Sequence, residues 1–234
     1  MDLAGATWPQ VEATGRRSVL AIPLGSLEQH GPHLPLDTDS RIAGAVADGL
    51  ARRCSGVGVA VAPVLSYGAS GEHADFPGTL VVGHEVLADL LVELVRSARG
   101  SFAGVVFVNA HGGNGEALAL ARERSAAEGD DVLVWRALTP AGGDAHAGRT
   151  ETSLLLAIDP GAVRLDLAEP GCTEPIAELL PRLRAEGVRP VSSNGVLGDP
   201  TGASVEEGHA LLNDLVQDLV GAVSAHWSMS PSPS

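Results

Sequence analysis

Short apolar runs alternate with stretches of helical spacing along most of the chain. Ser18–Leu24 (SVLAIPL), Gly58–Leu65 (GVAVAPVL), Gly104–Asn109 (GVVFVN) and Asp131–Trp135 (DVLVW) are apolar without alternation. That pattern predicts strands covered on both faces, with Pro23 marking the end of the first. Between them the spacing predicts helices over Asp39–Arg53, His84–Arg99 and Glu116–Glu128, and another beginning at Glu151–Ile158. Asp39–Arg53 opens on an acid and closes on a base, the order a helix dipole favours. Ser204–His226 predicts a closing amphipathic helix, whereas the stretch after Asp159 carries a weaker pattern.

Strands separated by helices of this length imply parallel βαβ units with right-handed crossovers. The expected fold class is α/β, a three-layer α/β/α sandwich with a mainly parallel central sheet. A single domain is expected over residues 1–227, followed by a disordered tail at 228–234 (SMSPSPS).

Charge narrows the function. The 234 residues include 15 basic and 29 acidic side chains, a formal net charge of −14, and every basic one is Arg. Without Lys there is no Schiff-base chemistry and no P-loop phosphate lysine. An acidic chain with no basic run is a poor partner for nucleic acid or an anionic membrane, and neither is expected. No run of ~18 apolar residues could span a bilayer. Cys54 and Cys172 match neither a CxxC nor a zinc-finger spacing, which points to a reduced, cytoplasmic setting.

In open α/β sheets, sites form beyond the carboxyl ends of the strands. Each predicted strand here runs into a polar cluster. GSLEQHGPHLPLDTD (Gly25–Asp39) follows the first, GASGEHADFPGT the second, and NAHGGN (Asn109–Asn114) the third. Beyond a Gly-rich loop, DAHAGRTETS follows the fourth and holds Asp144, His146 and Glu151. His and carboxylate side chains without Cys are the ligand set of a hydrolytic zinc, manganese or iron site. Glu28 and His30 are two apart, so an extended segment points both to one side. His111 precedes Gly112 and Gly113, where backbone can approach metal or substrate closely. Asp39 stands at the mouth of a helix, where a carboxylate could bridge two cations. With Glu151 these make five candidate ligands, enough for two divalent ions roughly 3.5–4 Å apart that activate a water and polarise a carbonyl.

Each residue also has an ordinary reading. Asp39 could be a helix cap, Glu28 could pair with an Arg, and NAHGGN could be a tight turn. His33, His84, His209 and His226 are read as structural. Glu72, His73 and Phe76 could line a substrate pocket or fix the loop before Pro77. Gly112, Gly113 and Asn114 could offer backbone N–H groups to an oxyanion. A serine nucleophile lacks its GxSxG elbow, and no GxGxxG follows the first strand. A non-catalytic peptide or small-molecule binding module using the same cleft stays open.

GSLEQHGPHLPLDTD, GEHADFPGT, NAHGGN, HAGRTETS and the later GDPTGAS resemble the signature series of the creatininase (creatinine amidohydrolase) family, in the family's order. The resemblance implies an α/β/α sandwich and a dinuclear amidohydrolase, with zinc alongside iron or manganese. It implies Glu28, His30, Asp39, His111 and Glu151 as ligands, with Asp39 bridging and His146 as acid/base or substrate-orienting group. Closed homo-oligomers of hexamer or octamer type are the family's usual assembly. The chain departs from creatininase itself, which resembles NGHYEN at the third motif with Glu as a ligand. Gly113 stands at that place here, which leaves Glu151 as either fifth ligand or acid/base. ALTPAGGDA before His146 also lacks the tryptophans that cover creatinine. Overall similarity lies nearest the family's peptidase branch, which removes a C-terminal Val-Tyr dipeptide from a radical-modified precursor peptide. The formamide hydrolases of flavin-type biosynthesis are the alternative.

Overall fold

A computed structural model describes residues 1–137 and 144–227. The expected tail at 228–234, and most of the Trp-free segment before His146, lie outside the described residues. The described chain contains strands β1 (Ser18–Leu24), β2 (Gly58–Val61), β3 (Gly104–Asn109) and β4 (Val132–Arg136). Its helices are α1 (Trp8–Thr14), α2 (Thr38–Arg53), α3 (His84–Ala98), α4 (Gly115–Ala127), α5 (Arg149–Ile158), α6 (Ile176–Glu186) and α7 (Val205–Trp227).

The four strands form one parallel sheet in the order β2-β1-β3-β4. All seven residues of β1 are buried, as its unbroken apolar run predicts. Alternate side chains feed two cores. Val19, Ala21, Val106 and Val108 pack with α2, α5 and α7 on one face. Leu20, Ile22, Leu24, Val105 and Phe107 pack with α3 and α4 on the other. The architecture is the expected three-layer α/β/α sandwich. Phe107 is fully buried, and removing a ring of that size from a core costs about 3–5 kcal/mol.

Two differences from the sequence reading have local causes. The ladder of β2 stops at Val61, because Pro63 interrupts the run expected to reach Leu65. Ala62 and Leu65 still bond to carbonyls of Ala21 and Pro23, so the segment stays beside β1. Helix α6, absent from the pattern, contains Pro181 and buries only Leu179 and Leu183.

The chain leaves β1 to build β2 on one side and returns to build β3 on the other. The β1–β3 boundary is therefore the topological switch point, where a crevice opens beyond the carboxyl ends. No helix among the described residues is long and apolar enough to cross a membrane. Cys54 and Cys172 are both free.

Candidate metal centre

The β1–α2 loop folds back on itself at the switch point. The Glu28 N–H donates to the Leu36 carbonyl at 3.0 Å, and His30 bridges Leu34. Glu28 and His30, both 0% exposed, are thereby turned inward. Asp39 is the second residue of α2, where the positive helix terminus favours a carboxylate. His111 lies two residues past the end of β3, and its Nε2 is 3.3 Å from the Ala69 carbonyl. That contact leaves Nδ1 facing inward. His146 and Glu151 flank Ala147, a non-glycine residue held at φ 52°. Such strain persists only where the surroundings over-determine it. Here the Ala147 N–H donates to Glu151 Oε2 at 2.5 Å, aiming the carboxylate from the first turn of α5.

The inward atoms converge as two adjoining groups. In the first, His111 Nδ1 lies 3.2 Å from both Glu28 Oε1 and Asp39 Oδ2. In the second, His30 Nε2 lies 3.2 Å from Asp39 Oδ1 and 4.0 Å from Glu151 Oε2. Asp39 turns one oxygen to each group. His146 stands between them, its Nδ1 3.7 Å from Glu28 Oε1 and its ring 4.3 Å from that of His30. His73 joins from the β2–α3 connection, with Nε2 3.3 Å from Glu28 Oε1. Glu28–Asp39–His111, His30–His146–Glu151 and Glu28–His73–His146 each bring three donor atoms within 4.8 Å of one another.

The donor set fits divalent cations. Both carboxylate oxygens of Glu28 and Asp39 Oδ2 are buried without a hydrogen-bond partner. An unpaired buried carboxylate is costly unless a cation compensates it. Imidazole and carboxylate without thiolate suit zinc, iron and manganese. The metal-free electrostatics show the same demand for positive charge. Burial alone would raise the Glu28 carboxyl, but the facing His111 and His73 hold it well below its usual range. Burial likewise works against charge on His30, yet Asp39, Glu151 and Glu28 raise it to about 9. His111 is raised well above its usual value by Glu28 and Asp39 against the same penalty. Glu151 is pushed up to about 7, chiefly by burial. His146 goes the other way, lowered by burial and by the neighbouring His30 and His73.

The remaining expected residues divide by position. Glu72 sits at the edge, with Oε1 4.0 Å from His111 Nε2. Phe76 lies farther out beneath the Arg189 guanidinium, 5.3 Å from the ring centroid. Gly112 is exposed. Gly113 packs so closely that an added Cβ would stand 2.3 Å from the Ala69 carbonyl oxygen and 2.4 Å from His111 Nε2. Asn114 is fully buried and belongs to the scaffold behind the centre. Its amide bonds Ala69 N–H, the Gly25 carbonyl and Asn109 Oδ1 at 2.8–3.0 Å. Asp144 bonds the backbone N–H groups of Arg149 and Asp199, tying the start of α5 to the 199 loop. His33, read as structural, is buried against α5 with Nε2 2.9 Å from Thr152 Oγ1.

The sequence reading missed Gln29, buried between His73 and His146. A neutral amide gives no titratable signal; its place between Glu28 and His30 was the available clue.

A family model described as creatinine amidohydrolase matches residues 4–223. The mycofactocin precursor peptide peptidase of Mycobacterium ulcerans is 50% identical over 232 residues, covering 97% of this chain and 88% of its own. The creatinine amidohydrolase of Pseudomonas putida is 32% identical over 250 residues, covering 93% and 94%. A solved manganese creatininase superposes with a TM-score of 0.78 at 29% identity, over 98% of both chains.

Proposed function

The chain belongs to the creatininase (creatinine amidohydrolase) family, and from that premise we propose that it is a peptidase trimming the mycofactocin precursor peptide. As a family member it is a metal-dependent hydrolase of C–N bonds. The observation carrying the finer reading is the 50% identity to a peptidase of that name, against 32% to a creatinine amidohydrolase. Gly113 supports it, because Ala69 and His111 fill the space that a larger side chain would need. The bond cleaved is the amide preceding the C-terminal Val-Tyr of the modified precursor, and the reaction belongs to the cytoplasm.

Glu28, Asp39 and His111 would hold one divalent ion, and His30, Asp39 and Glu151 a second, with zinc accompanied by iron or manganese. Ions held there supply Lewis acidity to the scissile carbonyl and lower the pKa of a water. His146 turns its Nδ1 towards both groups, and its Nε2 lies 2.8 Å from the Gln29 carbonyl. That ring takes a proton from the attacking water as hydroxide adds to the carbonyl carbon. It returns the proton to the amide nitrogen as the C–N bond breaks, leaving a new carboxylate on the precursor and a free amino group on Val-Tyr. A general acid–base group of this kind contributes about 10²–10⁴-fold.

The test is mass spectrometry of the radical-modified precursor incubated with metal-replete protein. Loss of Val-Tyr, abolished by chelator and by His111→Ala, is expected. An intact precursor, with metal bound and the fold retained, overturns the peptidase reading. Turnover of a formamide or of creatinine in the same series would then assign the alternative.

A further inference from the structure

The Gln29 side chain is 5% exposed and every polar atom of it is engaged. Its Oε1 accepts the Gly31 N–H at 2.8 Å, which fixes the orientation of the amide. Nε2 then has two protons to donate and three neighbours within reach: the Gly195 carbonyl at 3.0 Å, His73 Nδ1 at 2.9 Å and His146 Nε2 at 3.1 Å. A carbonyl can only accept, so one proton goes to Gly195. His146 Nε2 also lies 2.8 Å from the Gln29 backbone carbonyl. An unprotonated Nε2 there would set two lone pairs against each other, so His146 carries its proton on Nε2. That nitrogen cannot accept from the amide. The second amide proton therefore goes to His73 Nδ1, and the His73 proton resides on Nε2, facing Glu28 Oε1 at 3.3 Å. One assignment is consistent with every contact of the Gln29 amide and carbonyl.

We propose that Gln29 is a positioning residue of the centre. Its backbone carbonyl fixes the tautomer of His146, and its side-chain amide fixes that of His73, so each ring presents a defined edge to Glu28. His146 offers a bare Nδ1 to the reacting atoms. His73 turns an N–H towards Glu28 Oε1, 3.3 Å away. Gly195 makes room for the amide: it sits at φ 82°, and an added Cβ would lie 1.9 Å from Gln29 Oε1. Ligand-orienting partners of this kind change metal affinity by about 10–100-fold. The inference rests on the reading of Glu28 as a metal ligand.

The test uses the full chain labelled with ¹⁵N-histidine, whose ring nitrogens report tautomers by NMR, first without metal. The wild type is expected to show His73 and His146 both protonated on Nε2. Gln29→Glu replaces the donating amide with an acceptor and Gln29→Met removes it. Whichever variant keeps the native circular dichroism is read. The expected result is that the His73 proton leaves Nε2 in favour of Nδ1 in Gln29→Glu, or divides between the two in Gln29→Met. His146, held by a backbone carbonyl, stays as it was. An unchanged His73, or loss of both assignments together, overturns the proposal. Titration with Zn²⁺ then expects an affinity 10–100-fold weaker. A His73 change with unaltered Zn²⁺ affinity would overturn the ligand reading of Glu28 and leave the tautomer assignment standing.

Discussion

Replacing Gly113 by Ala probes the packing that seats His111. The added methyl carbon would come within 2.3 Å of the Ala69 carbonyl oxygen, 2.4 Å of His111 Nε2 and 2.9 Å of Glu72 Oε1. Glu72 can swing away, because its side chain is partly exposed. The Ala69 oxygen belongs to backbone whose N–H is held by Asn114 at 2.8 Å. The ring of His111 must therefore move, pulling Nδ1 from its 3.2 Å approach to Glu28 and Asp39. Overpacking of this kind costs about 1–3 kcal/mol. At ~2–4 °C per kcal/mol for a chain of this size, that lowers the melting temperature by ~2–12 °C. Metal affinity should fall about 10–100-fold, or about 1.4–2.8 kcal/mol. Gly112→Ala is the matched control, since nothing lies within 4 Å of its added Cβ, and exposed changes of that sort stay within about 0.5 kcal/mol. Thermal melts and Zn²⁺ titrations of the two variants read the difference. Equal behaviour of both would refute the argument that Gly113 makes room for His111.

Three further outcomes follow from the same geometry. His146→Gln should lower kcat by about 10²–10⁴-fold with both metal ions retained; metal loss in step with activity would make His146 a ligand instead. Burial and the nearby His30 depress His33 to about 4 from its usual 6.5. The unfolded chain therefore takes up a proton that the folded chain refuses, and this stability is present above pH 6.5 and lost as pH falls towards 4. The loss amounts to about 3 kcal/mol. Urea midpoints of the wild type and His33→Gln should converge across that window, and parallel pH profiles would contradict it. Finally, His30 is held at about 9 in the metal-free chain, against burial, by Asp39 and Glu151. A cation arriving at neutral pH must displace that proton. Calorimetry in buffers of different ionisation enthalpy should show proton release, and uptake with no buffer dependence would count against the ligand set.

The sheet was legible because burial on both faces leaves unbroken apolar runs; β1 and β3 fall where those runs do. The long helices were legible from their spacing, to within a residue or two at their ends. Helix α1 was not, because it buries none of its residues. Its Thr7–Gln10 capping box and Pro9 were the signals that remained. Pro181 hid α6 in the same way, although Leu179 and Leu183 keep the four-residue spacing of a buried stripe. At the centre, Glu28, His30, Asp39, His111, His146 and Glu151 could be gathered from the loops after successive strands. How their atoms face one another could not. His73 could be read either as lining a pocket or as fixing the loop before Pro77, because its neighbours Glu72 and Asp75 make the segment polar. It is buried among Gln29, Glu28 and His146, and its loop is tied to the 188 segment, whose Val188 N–H bonds the Glu72 carbonyl at 2.7 Å. Pairings across such distances in sequence leave no local periodicity to read.

The central claim is that Asp39 serves two ion sites at once, one oxygen towards His111 and the other towards His30. The most direct measurement counts metal per chain by mass spectrometry in the wild type and in folded Asp39→Ala, each dialysed after loading with zinc. The account predicts two ions per chain in the wild type and none in the variant. Retention of either ion by Asp39→Ala would contradict it.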